Sequence, residues 1–314
     1  MPRFTNLDGS GPNGGAMVFR WAVLDRLAGR RRKSPSSATV PAVAPDLSLL
    51  ATPPAAGEPA RITWLGHASW LVQLDGASLL VDPVFSEAIP SEPVPLRIRR
   101  NAPAPPQAAQ LPRIDRTLVS HNHYDHYDRR SVLAAGAPVL TGAGVGKGLP
   151  LPVRELRWWE TDEIREGLRV TFVPSQHWSR RGFFDVNRTL WGGFVIEGSR
   201  SRLYHSGDTA YFEGFGEIGA RFGPLDAALL PIGAYDPPWF MEKQHLNPEQ
   251  AVQAFADLRA RLFVAMHWGT FKLTDEPLDE PPRRLREEWL RRALPTGRLR
   301  IPAIGETLDL AGVR

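Results

Sequence analysis

The chain has 314 residues, 42% of them hydrophobic and 23% charged, with a net charge of +4 and no cysteine. That length suits one large core or two modest ones. Without cysteine, disulfides and thiolate metal sites are excluded, so any bound metal must be held by nitrogen and oxygen. No run of eighteen apolar residues occurs, which excludes a membrane-spanning helix.

Residues 1–58 differ in texture from the rest, as in "SPSSATVPAVAPDLSLLATPPAAGEPA". This Pro-, Gly- and Ala-rich stretch reads as a tail with little packing of its own. Within it, "GGAMVFRWAVLDRLAGRRRK" puts Met17, Trp21, Leu24 and Leu27 at helical spacing. The basic run Arg30, Arg31, Arg32 and Lys33 comes after the apolar stretch, whereas a secretory signal carries its charge before it. Two readings stand: a short amphipathic helix lying on a membrane surface, or one packed on the protein's own surface. The expected location is cytoplasmic, with peripheral membrane contact under the first reading. The other basic groups, Arg97, Arg99 and Arg100 and the C-terminal "PPRRLREEWLRRALPTGRLR", read as solvated surface, so no nucleic-acid partner is expected.

Residues 59–314 read as one domain. "RITWLGHASWLVQLDGASLLVDPVF" predicts strand, turn and strand, with Asp75-Gly76 as a hairpin signal. A Pro-rich loop covers 90–112, and "RTLVS" is a short buried strand. "RRSVLAAGA" is a helix, while "LRVTFVPS", "WGGFVIEGS", "SRLYHSGD", "LDAALLPIG" and "LFVAMHWG" are strands. "NPEQAVQAFADLRA" is a helix with Asn247 as its N-cap and Pro248 in its first turn.

The strand "RTLVS" delivers "HNHYDH", which carries His121, His123, Asp125 and His126. Two imidazoles two residues apart at a strand end point to the same side. One tetrahedral metal cannot easily take four donors from so short a segment. Two adjacent metals can, with His121 and His123 on one and Asp125 and His126 on the other. Imidazole and carboxylate donors suit zinc, and also manganese or iron. Three further strands run into loops that carry His177, Asp208 and His267.

The ordered pattern Asp82, HxHxDH at 121–126, His177, Asp208 and His267 resembles the metallo-β-lactamase superfamily over roughly residues 60–310. The resemblance implies a mixed α/β fold, a four-layered αββα sandwich with a dinuclear metal site at the sheet edge. "WLGHAS", "VDPVF", "PSQHW", "GDTAY", "PIGAYDPPWFM", "QHLNPEQA" and "MHWGTF" further resemble the family of phospholipases D that hydrolyse N-acyl-phosphatidylethanolamine. By position, the resemblance implies that His121, His123 and His177 hold one zinc and Asp125, His126 and His267 the other. Asp208 would bridge the two, and Asp82 would orient a ligand or water from behind. A homodimer is also implied.

The expected nucleophile is a hydroxide bridging the two metals, because zinc lowers the pKa of bound water from about 15.7 to about 7. The expected substrate is a phosphodiester of an N-acylated phospholipid or another anionic small molecule. His245 is the candidate for relieving charge on the leaving group, as a protonated side chain. Tyr235, Trp239, Phe240 and Met241 are candidates for an apolar wall against acyl chains, and His67 for substrate contact. Trp178 and Trp268 read as packing behind the site, and His205 as structural. A lactone or ring hydrolase, or a nuclease, would use the same donors. A nuclease wants a basic channel beside the metals, so the position of Arg97, Arg99 and Arg100 discriminates.

Overall fold

The computed structural model describes residues 3–32, 40–92, 97–182 and 184–313. Lys33 of the first basic run lies outside them. The strands in chain order begin with β1 (Arg61–Gly66), β2 (Ser69–Leu74), β3 (Ala77–Val81) and a ribbon of β4 (Ala88–Ile89) with β5 (Ile98–Arg99). Next come β6 (Arg116–Val119), β7 (Val139–Gly142), β8 (Val153–Leu156), β9 (Thr161–Arg165) and β10 (Leu168–Val173). The series ends with β11 (Gly193–Glu197), β12 (Arg202–His205), β13 (Leu225–Pro231), β14 (Ala260–Met266), β15 (Leu299–Arg300) and β16 (Thr307–Asp309).

They form two seven-stranded sheets, ordered β16-β1-β2-β3-β6-β7-β8 and β15-β14-β13-β12-β11-β10-β9. Strict alternation explains how the sheets pack. Ile62, Trp64, Trp70, Val72, Leu79 and Val81 join the large core shared with the second sheet, whereas Leu65, Leu71 and Leu80 pack with Phe85, Leu111 and Ile114 on the other side. Successive side chains of a strand point to opposite faces, so an apolar residue at nearly every position means both faces are covered. The helix Arg129–Ala135 covers the first sheet through Val132, which packs on Val119 and Val139. The helices Pro248–Asp257 and Glu280–Arg291 cover the second through Phe255 and Trp289, which meet Phe263 of β14. The result is four layers, helix, sheet, sheet and helix.

The helix at Pro248–Asp257 starts where its sequence signals place it. The Asn247 side chain accepts from the Gln250 N–H, and the Gln250 side chain accepts in return from the Asn247 N–H. The helix Glu280–Arg291 was hidden in the sequence by its charge. Leu285 and Trp289, one turn apart, are its buried seam, while Arg291 and Arg292 pair with Glu288 and Arg284 with Glu249.

The parallel pairs position the site. β3 lies parallel to β6, and β12, β13 and β14 are mutually parallel. Their carboxyl ends share one edge, and donor-bearing loops leave from there, as in other open α/β sheets. At the start of β2 the register with β1 shifts between Trp64 and Gly66, and Gly66 and His67 both take positive φ. Such a bulge re-aims the chain, here turning His67 toward the same edge.

The segment read from composition as a tail makes specific contacts with the sandwich. Residues 15–27 form one helical segment, Gly15–Phe19 and Asp25–Leu27 flanking a π-helical stretch, Arg20–Leu24. The wider π turn shifts the seam. Met17 and Trp21 pack on Ala234, Phe240 and Met241, but the next inward residue is Asp25, not Leu24. Leu24 and Leu27 are 50% and 81% exposed, so the expected four-residue apolar face is split. Among the described residues, no helix is long and apolar enough to cross a membrane.

Candidate metal centre

Each donor sits just beyond a strand end. β6 runs into Ser120–His126, and Asp82 follows β3. His177 lies four residues past β10, Asp208 three past β12, and His267 follows β14 directly. Asp208 is placed by the glycine before it. Gly207 has φ +59°, and a Cβ there would lie 2.6 Å from the Gly192 carbonyl oxygen and 2.9 Å from Ser120 Cβ.

Two donor groups result. In the first, His123 Nδ1 lies 2.9 Å from His121 Nε2 and 3.2 Å from His177 Nε2. Asp208 Oδ2 lies 3.9 and 3.7 Å from the same two Nε2 atoms. In the second, Asp125 Oδ2 lies 3.8 Å from His126 Nε2 and 3.4 Å from His267 Nε2. Asp208 reaches this group as well, with Oδ2 at 3.1 Å from His126 Nε2 and Oδ1 at 3.0 Å from His267 Nε2. It therefore stands between the two. Within His121–His123–His177–Asp208, and within His67–Asp125–His126–His267, one donor atom per residue lies within 4.8 Å of every other.

The donor chemistry fits a metal. His126 Nε2, His267 Nε2 and Asp208 Oδ1 are buried and have no hydrogen-bond partner. Buried polar atoms are rarely left so, and a cation would satisfy all three. The outer ring nitrogens are occupied. His126 Nδ1 donates to Asp82 Oδ2 at 2.7 Å, and His177 Nδ1 to the Gln244 carbonyl at 2.8 Å. These bonds fix the tautomers and aim the Nε2 lone pairs inward. Asp82 is fully buried and also accepts from Ser120 N and Oγ, at 2.7 and 2.6 Å.

Burial pushes the His123 and His121 imidazoles down, His123 to about 3 and His121 well below the usual range, so both are neutral with free lone pairs. Burial alone would raise Asp125 and Asp208, but neighbouring imidazoles, His126 foremost, hold both carboxylates well below the ordinary range. Burial likewise opposes charge on His126 and His267, yet Asp208 and Asp125 outweigh it. His126 is raised well above its usual value and His267 is pushed up to about 9. Without metal, the two carboxylates favour protons on these rings.

The residues expected to contact substrate divide. Phe240 and Met241 line a groove of about 610 Å³ whose floor is His123, Asp125, His177, Asp208 and His245. Tyr235 does not line it; it is buried and its hydroxyl donates to Glu280 Oε1 at 2.8 Å. Trp239 does not line it either, and the Arg20 guanidinium lies 4.2 Å from its ring. His67 is 1% exposed and sits behind Asp125, with Nε2 2.9 Å from Oδ2, while its carbonyl accepts from the His267 N–H at 3.0 Å. It holds two donors rather than touching the groove. His205 is structural, with its Nε2 bonded to the Ala68 carbonyl at 3.1 Å. Trp178 is a correction, because it lines the groove with its ring 4.7 Å from that of His123. Trp268 packs on Trp64 at 5.8 Å. The remaining walls, Ile89, Ile98, Leu273, Val18 and Trp21, come from distant segments whose convergence no local pattern announces.

His245 closes the floor, with Nδ1 4.0 Å from Asp208 Oδ2 and no hydrogen-bond partner. Burial, against the pull of Asp208, keeps this imidazole well below its usual range. That direction opposes the protonated form expected from the sequence.

Residues 78–268 match the β-lactamase superfamily domain family. The N-acyl-phosphatidylethanolamine-hydrolyzing phospholipase D 1 of Caenorhabditis elegans is 37% identical over 246 residues, covering 72% of this chain and 68% of that protein. A UPF0173 metal-dependent hydrolase of Pyrobaculum aerophilum is 31% identical over 221 residues, covering 68% and 86%. Among solved structures, the metallo hydrolase Igni18 of Ignicoccus hospitalis superposes with a TM-score of 0.56 at 22% identity, over 79% of this chain and 97% of that one.

The protonation pattern predicts how metal and pH are linked. Metal loading at pH 7 displaces protons from His126 and His267, so calorimetric titrations in buffers of different ionisation heat should report net proton release. The His267 value is raised from 6.5 to about 9, so in metal-free protein its stabilisation is complete below 6.5 and lost as pH rises through about 9. Melting temperatures of chelated and loaded protein should diverge across that window. Buffer-independent heats and parallel melting curves would contradict this charge assignment.

Proposed function

We propose, on the premise that this chain belongs to the metallo-β-lactamase superfamily and is a metal-dependent hydrolase, that its substrate is a long-chain phosphodiester. An N-acyl phosphatidylethanolamine-type phospholipid is the favoured compound, cleaved on the headgroup side with two zinc ions bound. The observation that carries this reading is the junction of two surfaces. Four of the seven nitrogen and oxygen donors, His123, Asp125, His177 and Asp208, lie on the floor of a groove walled by Trp178, Phe240, Met241, Ile89 and Ile98, and the other three stand behind them.

His121, His123 and His177 would hold one ion, Asp125, His126 and His267 the other, and Asp208 would touch both. Bound divalent zinc would supply Lewis acidity and acidify water to a pKa of about 7. The rest falls to the chain. With only two carboxylates among the seven donors, the loaded site keeps positive charge and favours an anionic phosphodiester. Asp82 and the Gln244 carbonyl keep the imidazoles aimed inward. Water adds to phosphorus, the bond to the leaving oxygen breaks, and a proton goes to that oxygen. The neutral His245 imidazole stands closest in role to the last step, as a hydrogen-bond donor.

The nuclease reading is disfavoured by position. Arg97, Arg99 and Arg100 surround a separate cavity of about 300 Å³ with Glu87 and Ala88, not the groove. Arg180 and Arg181 do border the groove, but Arg181 is committed to the Asn122 and Tyr127 carbonyls at 3.2 and 2.7 Å.

Turnover of an N-acyl phosphatidylethanolamine, a lactone and bis-p-nitrophenyl phosphate by the zinc-loaded protein tests the reading. The phospholipid should exceed the lactone in kcat/KM by about a hundredfold or more; a preference for the lactone would end the phosphodiester assignment. His245→Ala should lower kcat about a hundredfold with metal content unchanged, the usual scale for a donor to developing charge. Loss of metal along with rate would make His245 a ligand instead, since it also groups with Asp208 and His267.

Peripheral membrane contact fits the outer face of residues 15–27, where Phe19, Leu24 and Leu27 are exposed beside Arg20 and Arg26. Leu24→Gln with Leu27→Gln should weaken sedimentation with anionic liposomes several-fold and spare hydrolysis of detergent-dispersed substrate. Undiminished sedimentation would rule the contact out.

A further inference from the structure

The N-terminal helical segment lies outside the residues that match the hydrolase family, 78–268, yet it completes the groove. Val18 and Trp21 stand in the wall facing the metal donors. The Trp21 ring stacks on Phe240 with centroids 5.0 Å apart and planes inclined by 19°. Its Nε1 donates to Asp275 Oδ2 at 2.9 Å. Trp21 lies in the π-helical Arg20–Leu24 stretch, four residues after Met17 and on the same face. π turns recur where a helix must aim a particular side chain at a site.

The segment has almost no core of its own. Asp25 is its one buried residue among 15–27, and an isolated helix of that length is marginal in water. It is held by a clamp at its carboxyl side. Arg31 pairs with Asp275 at 2.6 Å, and its guanidinium lies 4.3 Å from the Trp21 ring. Arg32 pairs with Glu280 and lies 3.6 Å from Asp236. At the amino side, Asn13 donates to the Phe240 carbonyl. Arg31 and Asp275 are mostly shielded from solvent, where such a pair is worth more than an exposed one. Asn13 anchors directly at Phe240, and Asp236 lies two residues before the helix Pro238–Met241. Trp21 is half-buried, and part of it borders the groove.

We propose that Trp21, with Val18, is the specificity-determining wall for the apolar chain of the substrate, and that the Arg31 and Arg32 clamp keeps this wall in place. The inference rests on the long-chain reading above and deepens it. An alkyl chain lying between Trp21 and the Phe240–Met241 side would bury apolar surface on both, whereas a short substrate would reach the metal donors without touching the strap. Chain length, and not the phosphoryl group, is what the strap would sense.

The test uses full-length, metal-loaded protein and two non-substrate probes, dodecyl phosphate and ethyl phosphate, with affinities read by calorimetry. The parent should prefer dodecyl phosphate by about a hundredfold or more. Trp21→Ala should shrink that preference roughly tenfold, and Trp21→Phe, which keeps an aromatic wall and loses the bond to Asp275, should restore it to within about threefold. Arg31→Glu with Arg32→Glu should shrink the preference as Trp21→Ala does, with metal content unchanged. An undiminished preference in Trp21→Ala overturns the proposal. So does an equal loss on both probes, or a Trp21→Phe variant no better than Trp21→Ala, because either result would make Trp21 a support of the fold. Chain-length preference that depends on Trp21, in a protein that does not hydrolyse the phospholipid, would leave the strap standing and remove only the substrate assignment.

Discussion

Two carboxylates buried among imidazoles set the terms for the rest of this protein. Asp125 and Asp208 are shielded from water, and isolated ionised carboxylates in such a place would be prohibitively costly. Positive charge must therefore meet them, whether from protons on neighbouring imidazoles such as His126 and His267 or from a metal. The surrounding fold supplies the geometry. Asp208 reaches both donor groups from one loop, and the loop can do so only because Gly207 lets the chain turn between Gly192 and Ser120.

The sandwich explains why the donors arrive together. Parallel strands end on the same side, so β3, β6, β12 and β14 discharge their loops at one edge. Asp82, from β3, reaches across to β6 and fixes Ser120 and His126 at once. His67, from the bulge at the start of β2, does the same for Asp125 and His267. Each of these residues joins two elements through its polar atoms, so the sheets' register and the site's geometry are one constraint. Displacing either residue would leave a buried charge unpaired and move a clustered donor as well.

The groove joins a charged floor to apolar walls, and the two come from different parts of the chain. The floor belongs to the strand ends of the sandwich. The walls are borrowed from the β4–β5 ribbon, from the short helix Pro238–Met241 and from the N-terminal segment. That division lets the walls vary without disturbing the donor cluster. It also ties the N-terminal segment to the donor cluster, since Asn6 accepts from the His177 N–H at 3.1 Å and Gln176 donates to Asp8 and Ser10.

The clustering of His121, His123, Asp125, His126, His177, Asp208 and His267, and the cap of the helix at Pro248–Asp257, were legible in the amino-acid sequence because their signals are local. HxHxDH is compact, each later donor follows an apolar strand, and Asn247 and Pro248 announce a helix within two residues. The absence of cysteine by itself excluded thiolate ligands. Other features depended on residues far apart in the chain, and only the folded protein decided them. Tyr235 and Trp239 share a stretch with Phe240 and Met241, yet one pair turns to Glu280 and Arg20 while the other turns to the groove. His67 carries no mark that it will stand behind Asp125, 58 residues away. The helical face of the N-terminal segment could be read for period but not for register, since a π turn moved its seam from Leu24 to Asp25. Local pattern records which side chains a segment offers; where they point depends on long-range packing, in which each partner is chosen by the shape and charge of distant residues.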